Sequence, residues 1–169
     1  MKINMYKFLL VFIGNRLPIS YYPFGKVANK FRVFCASRIA KSIGTNVNIE
    51  KGALLQETNV IGDNSGIGIN CILSDYVTIG SNVMMGPECL IYTRNHKFNK
   101  INLTYEGFTE YSPVEIGDNV WIGARVTILP GVTVGKGSTI GANSVVTKNI
   151  PPYSVAVGNP AKIVKNLLD

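Results

Sequence analysis

A six-residue beat runs through most of this chain. From Ile43 it falls on Ile49, Leu55, Ile61, Ile67, Leu73, Ile79, Met85 and Ile91, and it resumes on Ile116, Ile122, Ile128, Val134, Ile140 and Val146. Every one of these positions is aliphatic or Met, and Gly follows at 44, 62, 68, 80, 86, 117, 123, 135 and 141. The fifth position of the hexad is mostly small or Val, as in Val47, Ala53, Ser65, Val77 and Val83. Six residues are too few for a helix and its turn, and a period of six does not match 3.6. They do make one short strand and a bend. Three hexads therefore close a triangular coil of about eighteen residues, pairing in parallel with the next coil at about 4.8 Å. The large aliphatic residue fills the prism, and the small fifth residue fits where the interior narrows. Glycine is expected at the corners for its freedom of backbone angle. A single coil cannot bury its own face, so coils must stack.

The beat predicts an all-β fold, a parallel β-helix of about five triangular coils over residues 43–150. Residues 1–42 lack the hexad and carry apolar and basic residues suited to helices, broken near Pro18 and Pro23. They are expected to form an N-terminal helical cap over the first coil, which would otherwise present an open strand edge. Ile150-Pro151-Pro152 is expected to stop the coil, leaving 151–169 as a C-terminal tail. Cys71 and Cys89 share a hexad position one coil apart and are expected to stack inside as small hydrophobes rather than act as redox groups. Three cysteines, one histidine and no Cys-x-x-Cys argue against a disulfide framework and against a metal site.

The net charge of +7 is unevenly spread. Residues 1–42 hold eight Lys/Arg and no acid, whereas the remainder holds nine Lys/Arg against ten Asp/Glu. Such asymmetry points to an anionic partner for the N-terminal segment, a membrane surface or a charged glycolipid, with a solvated helical face as the plain alternative. No nucleic-acid partner is expected. The apolar run from Phe8 to Ile13 is far short of the roughly 20 residues that a spanning helix needs. No small-residue cleavage site follows it. A cytoplasmic protein is expected, in contact with the inner face of a membrane through its basic segment.

The beat fails once. Nineteen residues, 97–115, leave the coil and return, and loops of that length are usually functional. The sole histidine, His96, stands at the root of this loop in Thr93-Arg94-Asn95-His96-Lys97-Phe98. A neutral imidazole is the natural base for removing a hydroxyl proton. A lone histidine is as readily a structural or surface residue. The last position of a hexad beside an excursion, however, points it toward a groove between subunits rather than into the prism.

A set of ordered motifs sharpens this. Val120-Trp121-Ile122-Gly123-Ala124, Ile128-Leu129-Pro130-Gly131-Val132-Thr133-Val134-Gly135 and Ile140-Gly141-Ala142-Asn143-Ser144-Val145-Val146-Thr147-Lys148 follow one another, closed by Ile150-Pro151-Pro152 and Gly158-Asn159-Pro160-Ala161-Lys162. Together they resemble the hexapeptide-repeat acyltransferases, in particular the maltose/galactoside acetyltransferase and capsular-polysaccharide O-acetyltransferase group, over residues 43–165. The resemblance implies a left-handed coil, which the period does not supply, because parallel crossovers are otherwise right-handed in about 98% of cases. It implies a homotrimer with active sites between subunits and acetyl-CoA as co-substrate, with no metal. It also implies His96 as the base that deprotonates a sugar hydroxyl for direct attack on the thioester.

Carried over position by position, Trp121 matches the tryptophan beside the acetyl-pantetheine arm. Gly123, Ala124, Gly141 and Ala142 match the small residues whose amides line that arm. Thr147, Lys148 and Lys165 match positions near the nucleotide end, where ammonium groups meet phosphates. Asp75 and Asn95 fall near the acceptor, and Asp75 is a candidate either to bond sugar hydroxyls or to orient His96. One departure stands out. The asparagine with which the sugar acetyltransferases help hold the acceptor and the developing oxyanion falls at Gly66, with Asn64 and Asn70 nearby. That leaves oxyanion stabilisation to another donor, such as a backbone amide.

O-acetylation of a surface-polysaccharide unit or its precursor is the reading this favours. Transfer to an amino-sugar nitrogen, to serine or to an antibiotic hydroxyl would use the same CoA half-site. A γ-type carbonic anhydrase would need three histidine ligands. A purely structural prism would carry regular outward ladders and have no use for a long loop beside a solitary histidine.

Overall fold

The computed structural model describes residues 2–169; Met1, the first residue of the expected cap, lies outside the described residues. Two helices, α1 (Lys2–Phe12) and α2 (Gly25–Ile39), precede a ladder of two- and three-residue strands. The strands fall into three parallel stacks that advance by eighteen residues per regular coil, as in Ser42 against Val60 and Val60 against Thr78. The first face runs 42–43, 60–61, 77–79, 114–116 and 133–134. The second runs 48–49, 66–67, 84–85, 121–122, 139–140 and 154–157, and the third 72–73, 90–91, 127–128 and 145–146. The result is a left-handed solenoid of about six turns, one more than the beat predicts. The extra turn comes from the expected stop. Ile150 still bridges Val134 in parallel and Ser154–Val157 pairs in parallel with Thr139–Ile140 before Lys162–Asn166 folds back antiparallel. Prolines 151 and 152 pass along the outer edge, where a missing N–H leaves no ladder bond unmade.

The hexad positions form the core. Of the fifteen aliphatic positions all but Ile43 are buried, and the small fifth residues lie inside with them, Cys71 and Cys89 included. The expected reason for the glycines needs correcting. None of those that follow the aliphatic residue adopts a left-handed φ. That conformation is carried elsewhere in the corner, by Asn46, Asn64, Asn82 and Asn119 at φ between 52° and 58°. Their side chains form a ladder from coil to coil at 3.0–3.2 Å. Asparagine tolerates this region because its short amide bonds locally. The glycines are there for a different reason. A Cβ on Gly62 would sit 2.6 Å from the carbonyl carbon of Gly80, and one on Gly86 or Gly123 would sit 2.6 Å from the amide nitrogen of Ala124 or Ala142. Successive coils touch backbone to backbone there. Gly66 is the exception, since a Cβ on it meets nothing nearer than the Asn48 Cβ at 4.0 Å.

Helix α2 lies against the first coil and completes its open edge. Asn29 accepts from the Ile49 amide at 2.9 Å, and Arg32 donates from Nε to the Ile49 carbonyl at 2.7 Å. Arg32 is fully buried, also donating to the Pro18 carbonyl at 3.0 Å and pairing with Glu50 at 3.5 Å. Burial pushes the Glu50 carboxyl upward, but hydrogen bonds from Ser20 and Asn48 together with the Arg32 charge outweigh it and hold the group below the usual carboxylate range. Arg32 is therefore structural and adds nothing to the surface charge of the segment.

Two outcomes follow. Gly62→Ala should lose about 1–3 kcal/mol to overpacking against backbone, while Gly66→Ala should be neutral or gain up to about 1 kcal/mol; thermal unfolding compares them directly. Glu50, with its pKa depressed on folding, contributes stability that is present above the ordinary glutamate value of about 4.3 and lost as pH falls through the lower folded value. Glu50→Gln should flatten that acid limb and destabilise the neutral protein by about 3–5 kcal/mol, because it strands the buried guanidinium. Urea unfolding across pH 3–7 measures both.

Candidate active site

The interruption of the coil is a hairpin. Asn82 and Asn119 hold equivalent corner positions 37 residues apart, one coil plus the nineteen-residue excursion. The excursion sits slightly earlier than the expected 97–115. His96 is already the first residue of its outgoing strand, His96–Asn99, and Val114 is back in the first face opposite Val77. The returning strand, Thr104–Phe108, pairs antiparallel with a bulge between Tyr105 and Phe108. Asn95 closes the root, its amide donating to the Thr109 hydroxyl at 3.0 Å and its carbonyl accepting from the Thr109 amide at 2.8 Å.

His96 is exposed and points away from the prism interior. Its Nδ1 lies 3.3 Å from the Gly107 carbonyl. A carbonyl can only accept, so Nδ1 carries the proton and Nε2 of the neutral ring presents its lone pair to solvent. Gly107 sits in the bulge at φ 62°, which turns that carbonyl toward the ring. Phe108 packs against the imidazole at 4.5 Å, and the Arg94 guanidinium covers Phe108 at 4.1 Å and Tyr111 at 4.8 Å. Sequence reasoning missed Arg94, Gly107, Phe108 and Tyr111. The lone glycine within an alternating strand, Tyr105-Glu106-Gly107-Phe108, was the available signal for a bulge.

Asp75 does not touch His96. Its oxygens accept from Thr58 Oγ1 at 3.1 Å and from the Tyr111 hydroxyl at 3.4 Å, so it ties the end of the excursion to the coil.

The other predicted residues divide between two sides of the prism. Trp121 projects from the second face, half exposed, in an outward row Asn48, Gly66, Met84, Trp121, Thr139. Ala124 and Ala142 stack at the corner where the second face meets the third. The amides of Gly123 and Gly141 are already spent on the coil carbonyls of Ile140 and Ala156, whereas those of Ala124 and Ala142 donate to nothing among the described residues. Lys165 lies on the antiparallel strand that extends the second face. His96, Thr147 and Lys148 instead follow third-face strands, at the corner where the third face turns toward the first. Below Trp121 the missing side chain of Gly66 opens a hollow of about 380 Å³, lined by Tyr21, Asn48, Asn64, Met84 and Pro87 among others. Among the described residues no group of three or more His, Cys, Asp or Glu could hold a metal ion.

With this geometry in view, the relatives are informative. The description "Bacterial transferase hexapeptide (six repeats)" matches residues 113–148. A maltose O-acetyltransferase from Clostridium difficile 630 superposes with a TM-score of 0.81 at 36% identity, over 98% of this chain and 87% of that one. The chain belongs to the hexapeptide-repeat acyltransferases. A galactoside acetyltransferase in complex with coenzyme A matches with a TM-score of 0.77 at 31% identity, over 98% of this chain and 82% of that one. Among curated relatives, a Staphylococcus aureus (strain COL) protein classed by inference as an acetyltransferase is 50% identical over 76 residues. That stretch is 45% of this chain and 38% of the relative, so the chain spans well under half of that protein's length.

The His96 ring is expected to be the Nδ1–H tautomer when neutral, which nitrogen-15 NMR of the imidazole reads directly. Gly107→Ala forces a side chain into the left-handed region at a strain of about 1–2 kcal/mol, and should shift the spectrum toward a tautomer mixture.

Proposed function

We propose that this member of the family is an acetyl-CoA-dependent O-acetyltransferase acting on a sugar hydroxyl, with His96 as general base. The observation that carries the reading is the free Nε2 of His96, held in one tautomer by the Gly107 carbonyl at the mouth of an extruded hairpin. In the reaction, Nε2 takes the proton of the acceptor hydroxyl while its oxygen bonds to the thioester carbonyl carbon. The tetrahedral intermediate then collapses, the C–S bond breaks, and the imidazolium returns the proton to the departing thiolate, so that CoA leaves as the thiol. The unpaired amides of Ala124 and Ala142 suit the amide-bearing pantetheine arm, with Trp121 beside it and Thr147, Lys148 and Lys165 toward the phosphates.

One chain does not assemble this site, because Trp121 and the alanine corner lie on a different side of the prism from His96. A homotrimer supplies the missing half. Three prisms around a threefold axis leave grooves in which one subunit's alanine corner faces the next subunit's hairpin. The hollow at Gly66, on the same outward row as Trp121, is where the acceptor would sit, with Asn48 and Asn64 as amide partners for hydroxyls. Asp75 and Asn95 then act by holding the hairpin in place beside it. Maltose O-acetyltransferase and galactoside acetyltransferase as structural neighbours support a sugar as acceptor. The acid-free N-terminal segment supports a surface-polysaccharide unit or its lipid-linked precursor, met at a membrane surface, over a free sugar.

His96→Ala should lower acetyl transfer about 10²–10⁴-fold while coenzyme A still binds in calorimetry; full turnover in that variant would refute the base assignment. Ala142→Tyr should block the cofactor thread from the other side. Co-expressing the two impaired variants should restore turnover in mixed trimers, since some interfaces then pair an intact His96 with an intact Ala142. Failure to restore it would place both halves in one subunit.

A further inference from the structure

Helix α1 is apolar on both sides, yet it has only one side to bury. Leu10 packs with Cys35 and Ile39 of α2, with Tyr6 and Leu9 alongside. Met5, Phe8 and Phe12 form a stripe on the opposite side, each about half exposed, and the rings of Phe8 and Phe12 stack at 4.3 Å. An all-round apolar helix is normally buried on all sides. Here the polar positions are few, Lys2, Asn4 and Lys7, and an uncovered apolar stripe of this kind marks a contact surface.

The neighbouring outer face of α2 says what kind of surface that is. Its exposed positions Val27, Lys30, Phe34 and Arg38 lie opposite the buried Ala28, Arg32, Ala36 and Ile39. Phe34 meets Tyr6, at the inner side of α1, edge-on at 5.8 Å, and Arg38 covers Phe34 at 5.5 Å, so the exposed face of α2 runs up to the seam between the two helices. At the start of α2, Phe24 holds a left-handed φ of 64° with its ring 83% exposed beside Lys26. A bulky residue in that region is strained, and here the strain presents an aromatic ring to solvent.

Across residues 1–42 there is no acidic side chain to balance these cations. The nearby carboxylates are already engaged, Glu57 with Lys7 at 3.2 Å and Glu50 inside with Arg32. Exposed phenylalanines interleaved with unpaired cations on short helices match an interface that is anionic at its surface and apolar a few ångströms below it. We infer that the outer face of the α1–α2 pair docks on an anionic lipid bilayer. Helix α1 lies in the surface plane, its rings in the acyl boundary and Lys26, Lys30 and Arg38 at the headgroups. No helix among the described residues is long and apolar enough to cross a membrane. This inference is independent of the catalytic reading.

The test is co-sedimentation of the full chain with vesicles of phosphatidylcholine alone and of phosphatidylcholine mixed with phosphatidylglycerol. Binding is expected to the mixed vesicles only and to weaken with salt. Lys26→Ala with Lys30→Ala should lower the partition coefficient about 30-fold. Phe8→Ser with Phe12→Ser should lower it about 10-fold or more. Lys26 and Lys30 are exposed and Phe8 and Phe12 half exposed, so both variants should keep a cooperative thermal unfolding transition, which confirms that they fold. Two results would overturn the inference. One is equal or absent binding to the two vesicle types. The other is a Phe8→Ser/Phe12→Ser variant that keeps its lipid binding but changes its mass in light scattering, which would mean that the stripe is covered by a second copy of the chain.

Discussion

Backbone pressed against backbone holds this molecule together. Where glycine follows the aliphatic residue, one coil comes so near the next that a β-carbon has no room, as at Gly62 over Gly80 and Gly123 over Ala142. That approach keeps the parallel ladders in unbroken register. The register in turn stacks Ile49, Ile67, Met85, Ile122 and Ile140 above one another inside the prism. Long-range pairing of this kind is worth little for one coil and accumulates with each coil added, which is how solenoids are stabilised. The asparagine ladder, two residues further on in the corner of Gly62 and Gly80, performs a complementary task. It supplies left-handed turns and side-chain hydrogen bonds at the same positions of successive coils.

A rigid prism is also what permits the hairpin. Strands of two residues cannot carry a site by themselves, but a coil that resumes after nineteen extra residues, with Val114 opposite Val77, anchors both ends of the excursion. Asp75, Thr58 and Tyr111 bind its returning end, and Asn95 and Thr109 its root. His96 therefore stands on a fixed stem while its ring faces outward, and the bulge at Gly107 decides which nitrogen is free. Gly66 shows the same economy by the opposite means. The backbone there does not need glycine, and a strand glycine costs stability. Its presence keeps a space open on the row that leads to Trp121.

Much of this was legible in the residues. The aliphatic beat named the core correctly from Ile49 to Val146, the fifth positions named its narrow parts, and the failed beat marked where the hairpin leaves. The beat did not show that Ser154–Val157 would continue the coil, because Pro151 and Pro152 look like a stop until their place on an outer edge is seen. It credited the corner glycines with conformational freedom, when the space they leave for the next coil is what counts. It counted Arg32 among surface cations, although the guanidinium lies inside, joining α2, the Pro18 carbonyl and Glu50.

The division has a physical cause. Whether a side chain in a repeating coil faces in or out depends only on its phase within six residues, and phase is written along the chain; so the fold, its core and the position of its one interruption were determined by sequence. Which atoms meet across coils, across the root of the hairpin or between helix and first turn depends on distances that no local period encodes. Only the tertiary structure could decide that Arg32 is buried, that the Gly107 carbonyl selects the histidine tautomer, that two alanine amides rather than four small-residue amides are free, and that Trp121 and His96 lie on different sides of one prism.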